Sequence, residues 1–195
     1  LGGEAVEAVG AVEAVGAASL LILDGAMGTM IQRFHLTEDD FRGEMFKDWP
    51  VRLQGNNELI SLTRPDVLRQ IHREYLEAGA DIITANTFSA QRVSQADYQT
   101  EDYVVEMNRA ALQIAREEAE RMTRLTPNKP RYVVATIGPT NRTLSMSPDV
   151  ENPAYRALTF DQLCEAYEEQ MMVLSEGGVD LFMLETIFDT LNAKA

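Results

Sequence analysis

Cysteine, cationic side chains and long apolar runs are what this sequence has least of. A single cysteine, Cys164, stands among 195 residues, so the chain can form no internal disulfide and no multi-thiolate metal site of its own. Lys and Arg number 17 against 31 Asp and Glu, a formal charge of −14. Nucleic-acid backbones are met by clustered cations, so a nucleic-acid partner is not expected. No apolar run reaches the roughly 18 residues of a membrane span. The start of the chain lacks the basic and apolar regions of an export signal. With a single thiol and no such signal, the cytoplasm is the expected location.

Several chemical motifs are missing too. No Cys-x-x-Cys, His-x-x-x-His or H-E-x-x-H spacing occurs, so no complete metal site is legible, and there is no G-x-S-x-G nucleophile elbow. The turn after the first apolar run matches neither G-x-G-x-x-G nor G-x-x-x-x-G-K-[ST], which disfavours dinucleotide and nucleotide-triphosphate cradles. His35 and His72 sit in unrelated contexts, the latter reading as a packing or surface residue of a helix. Cys164, beside Leu163, reads as a buried inert thiol.

Against these absences stands an ordinary apolar fraction of 45%, enough for a globular core. Residues 1–19 are a separate matter. They nearly repeat a six-residue unit of Ala, Val, Glu and Gly, and read as a low-complexity leader. From residue 20 the chain alternates. Strands are expected at 20–23, 80–85, 132–137 and 179–184, each short, apolar and ending on polar residues. Thr63-Arg64-Pro65-Asp66 reads as a helix start, with Pro tolerated in the first turn and Gly79 as the stop. Val104, Asn108, Ala111, Leu112, Ala115, Ala119 and Met122 mark one face of a long helix. Its acidic run, Glu101, Glu106, Glu117, Glu118 and Glu120, reads as a solvated face. Thr159 and Gln162 have capping-box spacing, and Leu163, Tyr167, Met171 and Leu174 follow as a packing stripe.

Two segments look like copies of one unit. Leu76-Glu77-Ala78-Gly79-Ala80-Asp81-Ile82-Ile83 aligns with Ser175-Glu176-Gly177-Gly178-Val179-Asp180-Leu181-Phe182, and continuing both places Asn86 opposite Glu185. Continuous apolar strands alternating with helices imply a parallel sheet covered by helices. The expected fold is α/β, a (β/α)8 TIM barrel of which residues 20–195 supply about the first four βα units. An open doubly wound sheet is the alternative. Either way, chemistry belongs at the carboxyl ends of the strands. The candidates are therefore Asp24-Gly25, Asn86-Thr87, Gly138-Pro139-Thr140 and Glu185.

Each candidate has a structural reading beside the functional one. Asp24 could cap the following turn. Gly25 and Gly28 could supply positive φ, or let a ligand carboxylate reach backbone amides. Asn86 could bond a neighbouring loop. Glu185, at the rim of an apolar strand, needs a cationic partner, either a structural Arg or a ligand ammonium.

A resemblance sharpens these choices. Asp24-Gly25-Ala26-Met27-Gly28-Thr29-Met30-Ile31-Gln32-Arg33 resembles the opening of the homocysteine-binding domain of cobalamin-dependent methionine synthases. Gln54-Gly55-Asn56-Asn57-Glu58-Leu59, Ala85-Asn86-Thr87-Phe88, Gly138-Pro139-Thr140-Asn141 and Leu184-Glu185-Thr186-Ile187-Phe188-Asp189-Thr190 extend it. Betaine- and S-methylmethionine-dependent homocysteine methyltransferases share the strand-end pattern. The stretch from Phe41-Arg42-Gly43 to Asn57, with Ala96-Asp97-Tyr98, looks more like the cobalamin-dependent kind.

The resemblance implies methyl transfer from methylcobalamin to a zinc-bound homocysteine thiolate, giving methionine. It implies that Asp24, Gly25, Ala26 and nearby amides meet the amino-acid head group, that Glu185 takes its ammonium, and that Asn86 and Thr87 line the site. Cobalamin, and the methyltetrahydrofolate that recharges it, would belong to other domains of the same longer polypeptide. The zinc ligands would be cysteines beyond Ala195, so these residues alone are expected neither to hold zinc nor to turn over. Two other classes stay open. One is a non-catalytic amino-acid-binding half barrel; the other is an unrelated barrel hydrolase or lyase using Asp24 and Glu185 as paired carboxylates.

Overall fold

The computed structural model describes residues 20–195; the expected leader at 1–19 lies outside them. Three parallel strands form the sheet: β1 (Ile82–Ala85), β2 (Tyr132–Ile137) and β3 (Leu181–Leu184), in the order β1-β2-β3. Ile82 pairs with Tyr132, and Val134 with Leu181. Helices intervene: α1 (Met27–Gln32), α2 (Glu38–Arg42), α3 (Ile60–Thr63), α4 (Pro65–Ala78), α5 (Arg92–Gln95), α6 (Val104–Leu125), α7 (Phe160–Glu176) and α8 (Thr190–Lys194). Among the described residues no helix is long and apolar enough to cross a membrane.

Local chemistry explains most boundaries. Pro65 and Asp66 open α4, and Gly79, at φ +111, closes it by donating its amide to the Leu76 and Tyr75 carbonyls. Only a residue free of a Cβ takes that conformation cheaply. Thr159 and Gln162 form the expected capping box on α7. The expected stripe of α6 is buried throughout.

Three expectations are corrected. The first strand is reduced to a parallel bridge between Leu23 and Ile82. Among the described residues it has a sheet neighbour on one side only, and Leu20 and Ile22 are exposed. On α7, Gln170 is buried where Met171 was expected, and Met171 is exposed, because the 3.6-residue period carries Tyr167 to Gln170 and Leu174. Glu118 does not belong to a solvated face. It is 2% exposed, and its carboxylate accepts from Arg73 Nε and Nη2 and from Arg121 Nε, all at 2.8 Å.

The internal repeat has a physical counterpart. Asp81, just before β1, accepts the Ile22 amide at 2.8 Å; Asp180, just before β3, accepts the Val133 amide at 2.7 Å. Each carboxylate staples the strand that precedes it in the sheet, and each is paired with a cation, Lys129 at 2.9 Å and Arg116 at 2.8 Å. The unit therefore recurs in hydrogen bonding as well as in sequence.

Two apolar clusters hold the molecule together. One joins β1 and β2 to α4, α6 and α7 through Leu76, Ile83, Leu112, Val133, Leu163 and Leu174. The other is built around Phe41, Phe46, Leu53, Leu59, Leu68 and Ile71. The polar, aromatic-dotted segment after α1 is thus firmly folded. Arg42 donates to the carbonyls of Phe46, Lys47, Trp49 and Val51, and Phe46, Trp49 and Tyr103 pack edge to face at 4.9–5.8 Å.

Candidate functional site

Parallel strands end on the same side, so the segments that leave them share one end of the sheet. There a cleft of about 530 Å3 opens between Asp24–Gly28, Asn57 and Glu58, 84–88, Thr136, Met183 and Glu185. Asp24, Gly25, Ala26, Asn86, Thr87 and Glu185 all border it. None of its lining residues is cationic.

Asp24 does not cap the turn that follows it. Its carboxylate reaches across to β1, accepting the Thr84 amide at 2.8 Å and the Thr84 hydroxyl at 2.6 Å. Burial pushes this carboxyl up, the Thr84 bonds pull it down, and the charge of Glu185 adds to the rise; the outcome is a raised pKa. Gly25 is small for a packing reason: a Cβ there would lie 3.0 Å from the Tyr75 hydroxyl, which donates to the Ala26 carbonyl. Neither Gly25 nor Gly28 has positive φ.

Asn86 bonds its neighbouring loop, donating from Nδ2 to the Asn57 carbonyl at 2.7 Å and to Ser61 Oγ at 3.3 Å. It thereby ties the end of β1 to the segment that carries Glu58. Thr87, fully buried, extends the sheet with its side chain: Oγ1 donates to the Thr136 carbonyl at 2.9 Å and accepts the Thr136 amide at 3.1 Å. Gln170 of α7 holds the Thr87 carbonyl at 2.7 Å.

Glu185 directly follows β3, and its amide continues the ladder to Ile137. Burial raises its carboxyl above the ordinary range, opposed only by a hydrogen bond from the Thr136 side chain; no cation acts on it among the described residues. The next residue, Thr186, is β-branched yet sits at φ +58. That strained turn bends the backbone away directly after the carboxylate.

Glu58, Thr84 and Thr136 border the cleft although the site candidates did not include them. Glu58 carried the same signal as Glu185, a lone carboxylate against the apolar Leu59-Ile60. The Thr84 and Thr136 contacts are long-range pairings with no local signature.

Gly138-Pro139-Thr140 does not border the cleft. A Cβ on Gly138 would lie 2.5 Å from the Phe88 carbonyl, so this glycine lets the ends of β1 and β2 approach. Thr140 is buried against the Arg142 carbonyl. Cys164 is half-buried, not fully enclosed, and borders a separate outer groove with Met171 and Met172. Among the described residues, no group of three or more His, Cys, Asp and Glu could hold a metal ion.

Comparison with known proteins gives this arrangement its context. In solved structures, the homocysteine methyltransferase MmuM from Escherichia coli matches in its metallated form with a TM-score of 0.67 at 18% identity, over 90% of this chain and 56% of that one. Its oxidized form matches at 0.65 and 16%, over 89% and 55%, and its apo form at 0.60 and 16%, over 90% and 52%. The chain thus shares the α/β fold of these enzymes and spans about half their length. The sequence profile described as homocysteine S-methyltransferase matches residues 21–195, nearly everything from the first pairing segment onward. This chain belongs to the homocysteine S-methyltransferase family.

Proposed function

We propose that the cleft binds L-homocysteine as part of a methyl transfer to its sulfur that yields methionine. The observation that supports this most directly is Glu185, a partly buried carboxylate at a strand end, bordering a cleft with no cationic lining residue. Such a group needs a positive partner, and the ammonium of an amino acid is one. A charge-assisted bond of this kind contributes about 1.5–3 kcal/mol. Asp24, fixed by Thr84, holds Gly25 and Ala26 where their backbone meets the amino-acid head group. Asn86 and Thr87 keep the opposite wall in place.

The zinc that the family resemblance implies would hold the substrate sulfur as thiolate. The described residues do not fit it: they offer no ligand cluster, and the one cysteine borders another groove. No step through zinc is therefore assigned to these residues; its cysteine ligands are proposed to belong to the portion of a barrel that the matched structures have beyond this one. Methylcobalamin, recharged by methyltetrahydrofolate on partner domains, is the proposed methyl source. The two segments that most resemble cobalamin-dependent enzymes form one unit, with Trp49 Nε1 donating to the Tyr98 carbonyl at 2.9 Å.

Calorimetry with L-homocysteine on the wild-type chain and on Glu185→Gln tests the binding. About 10- to 100-fold weaker binding by the variant is expected; equal binding would remove Glu185 from its role. Assay of the longer enzyme with methylcobalamin, S-methylmethionine and betaine tests the donor. Transfer from either of the last two alone would replace the cobalamin reading.

A further inference from the structure

Glu58 is a buried carboxyl group to which the homocysteine reading gives no role. It is 8% exposed, yet it borders the cleft beside Asn57, Thr87 and Phe88. Its Oε1 accepts the Ser89 amide at 3.2 Å. No Lys, Arg or His acts on it among the described residues; the nearby Tyr98 phenol is neutral at neutral pH, burial and the carboxyl groups of Glu58 and Asp97 holding its pKa up. Asp24 and Glu185 border the same cleft. Ionising Glu58 would put a third negative charge into one half-dry space with no cationic side chain, where a desolvated charge is costly.

We propose that Glu58 stands in the cleft as a neutral carboxylic acid and donates its proton in a hydrogen bond to the α-carboxylate of the bound amino acid. Protonated, the group becomes a donor in a cleft bordered by three carboxyl groups and no cationic donor. A zwitterionic ligand presents two ends: the ammonium is drawn to Glu185, and the carboxylate is drawn to whatever donors remain. Those are backbone amides, a few neutral side chains and this acid. A carboxylic acid kept neutral by its surroundings is a strong donor to an anion. Burial pushes the Glu58 carboxyl up and outweighs the amide bonds from its own backbone and from Ser89, which pull it down; the net direction accords with this assignment. The Ser89 and Asn86 bonds hold the segment carrying Glu58 against the end of β1, so the acid is fixed before the ligand arrives.

The inference takes its ligand from the homocysteine reading, and the test separates the two. The full 195-residue chain and its Glu58→Gln and Glu58→Leu variants are titrated by calorimetry with L-homocysteine and with 3-aminopropane-1-thiol, which lacks the carboxylate. Glu58→Gln keeps a neutral donor and is expected to bind homocysteine within about 3-fold of wild type. Glu58→Leu is expected to lose about 10-fold or more for homocysteine and less than about 3-fold for the amine. Loss in Glu58→Gln equal to that in Glu58→Leu would mean that an ionised carboxylate is required, and would overturn the proposal. Equal losses for both ligands would overturn it as well. No homocysteine binding by the wild-type chain would overturn the homocysteine reading and, with it, the proposed donation. Independently of any ligand, the Glu58 carboxyl carbon, identified by its disappearance in Glu58→Gln, is expected to resonate at the protonated position at neutral pH. An ionised shift there would overturn the neutral-acid assignment even if homocysteine binds.

Discussion

The Thr84 side chain and backbone both donate to the Asp24 carboxylate, at 2.6 and 2.8 Å across 60 residues of sequence. Through this pair the short leading segment, which pairs with the sheet by a single bridge and is stapled by Asp81, is also fastened to β1 at the cleft. Thr84→Val removes the hydroxyl donor and keeps the shape. It is expected to lower stability by about 1 kcal/mol, read as a shift in urea midpoint. Because the lost bond favours the ionised form, the Asp24 carboxyl should titrate at still higher pH in the variant, as followed by NMR. An unchanged Asp24 titration would mean that the hydroxyl does not act on it.

Thr186 turns the chain immediately after Glu185 in a left-handed conformation that disfavours a branched side chain. Asparagine tolerates this region better. Thr186→Asn is therefore expected to raise stability by about 1 kcal/mol. Thermal unfolding checks it, and a lower midpoint would show that the threonine side chain contributes more than the backbone costs.

His72 sits fully buried on α4, with neither ring nitrogen hydrogen-bonded in the protein. Burial lowers its pKa from 6.5 to about 4; Glu118 opposes that shift and Arg69 adds to it. The unfolded chain then binds a proton between those values that the folded chain does not. Stability should be full above pH 6.5 and fall as pH drops toward 4, by about 2 kcal/mol between pH 7 and pH 5 from this group. His72→Leu should remove that part of the slope in urea unfolding at the two pH values. An unchanged slope would place the pH dependence elsewhere.

Glu118 is the buried joint between α4 and α6. Burial alone would raise its carboxyl, but Arg73 and Arg121 outweigh burial and hold it below the ordinary range. Glu118→Gln cannot satisfy the three guanidinium donors and should cost about 2 kcal/mol, measured by urea unfolding. Arg73 is half-exposed, so the stranded cation is partly rescued by water, which limits the loss. A change below about 0.5 kcal/mol would demote the joint to a surface pair.

The elements that the sequence made legible are those written locally. β2 occupies the expected 132–137, α4 begins at Pro65 and ends before Gly79, and Thr159 with Gln162 caps α7. Each depends on residues within a few positions of one another: apolar period, a fixed φ, a hydroxyl three residues from an amide. Strand-end placement likewise put Asp24, Asn86 and Glu185 at one end of a parallel sheet, and they do border one cleft.

What the sequence could not determine is what each polar group does once there. Asp24 finds Thr84, Asn86 finds Asn57 and Ser61, and Glu118 finds Arg73, partners 25 to 60 residues away. The sequence placed Glu58 in a motif but gave it no role, and tertiary structure buried it at the cleft with no cation beside it among the described residues. Periodicity records which face of an element is apolar. The partner and the dielectric that a carboxyl group meets are set only when distant segments pack, and those two quantities decide its charge.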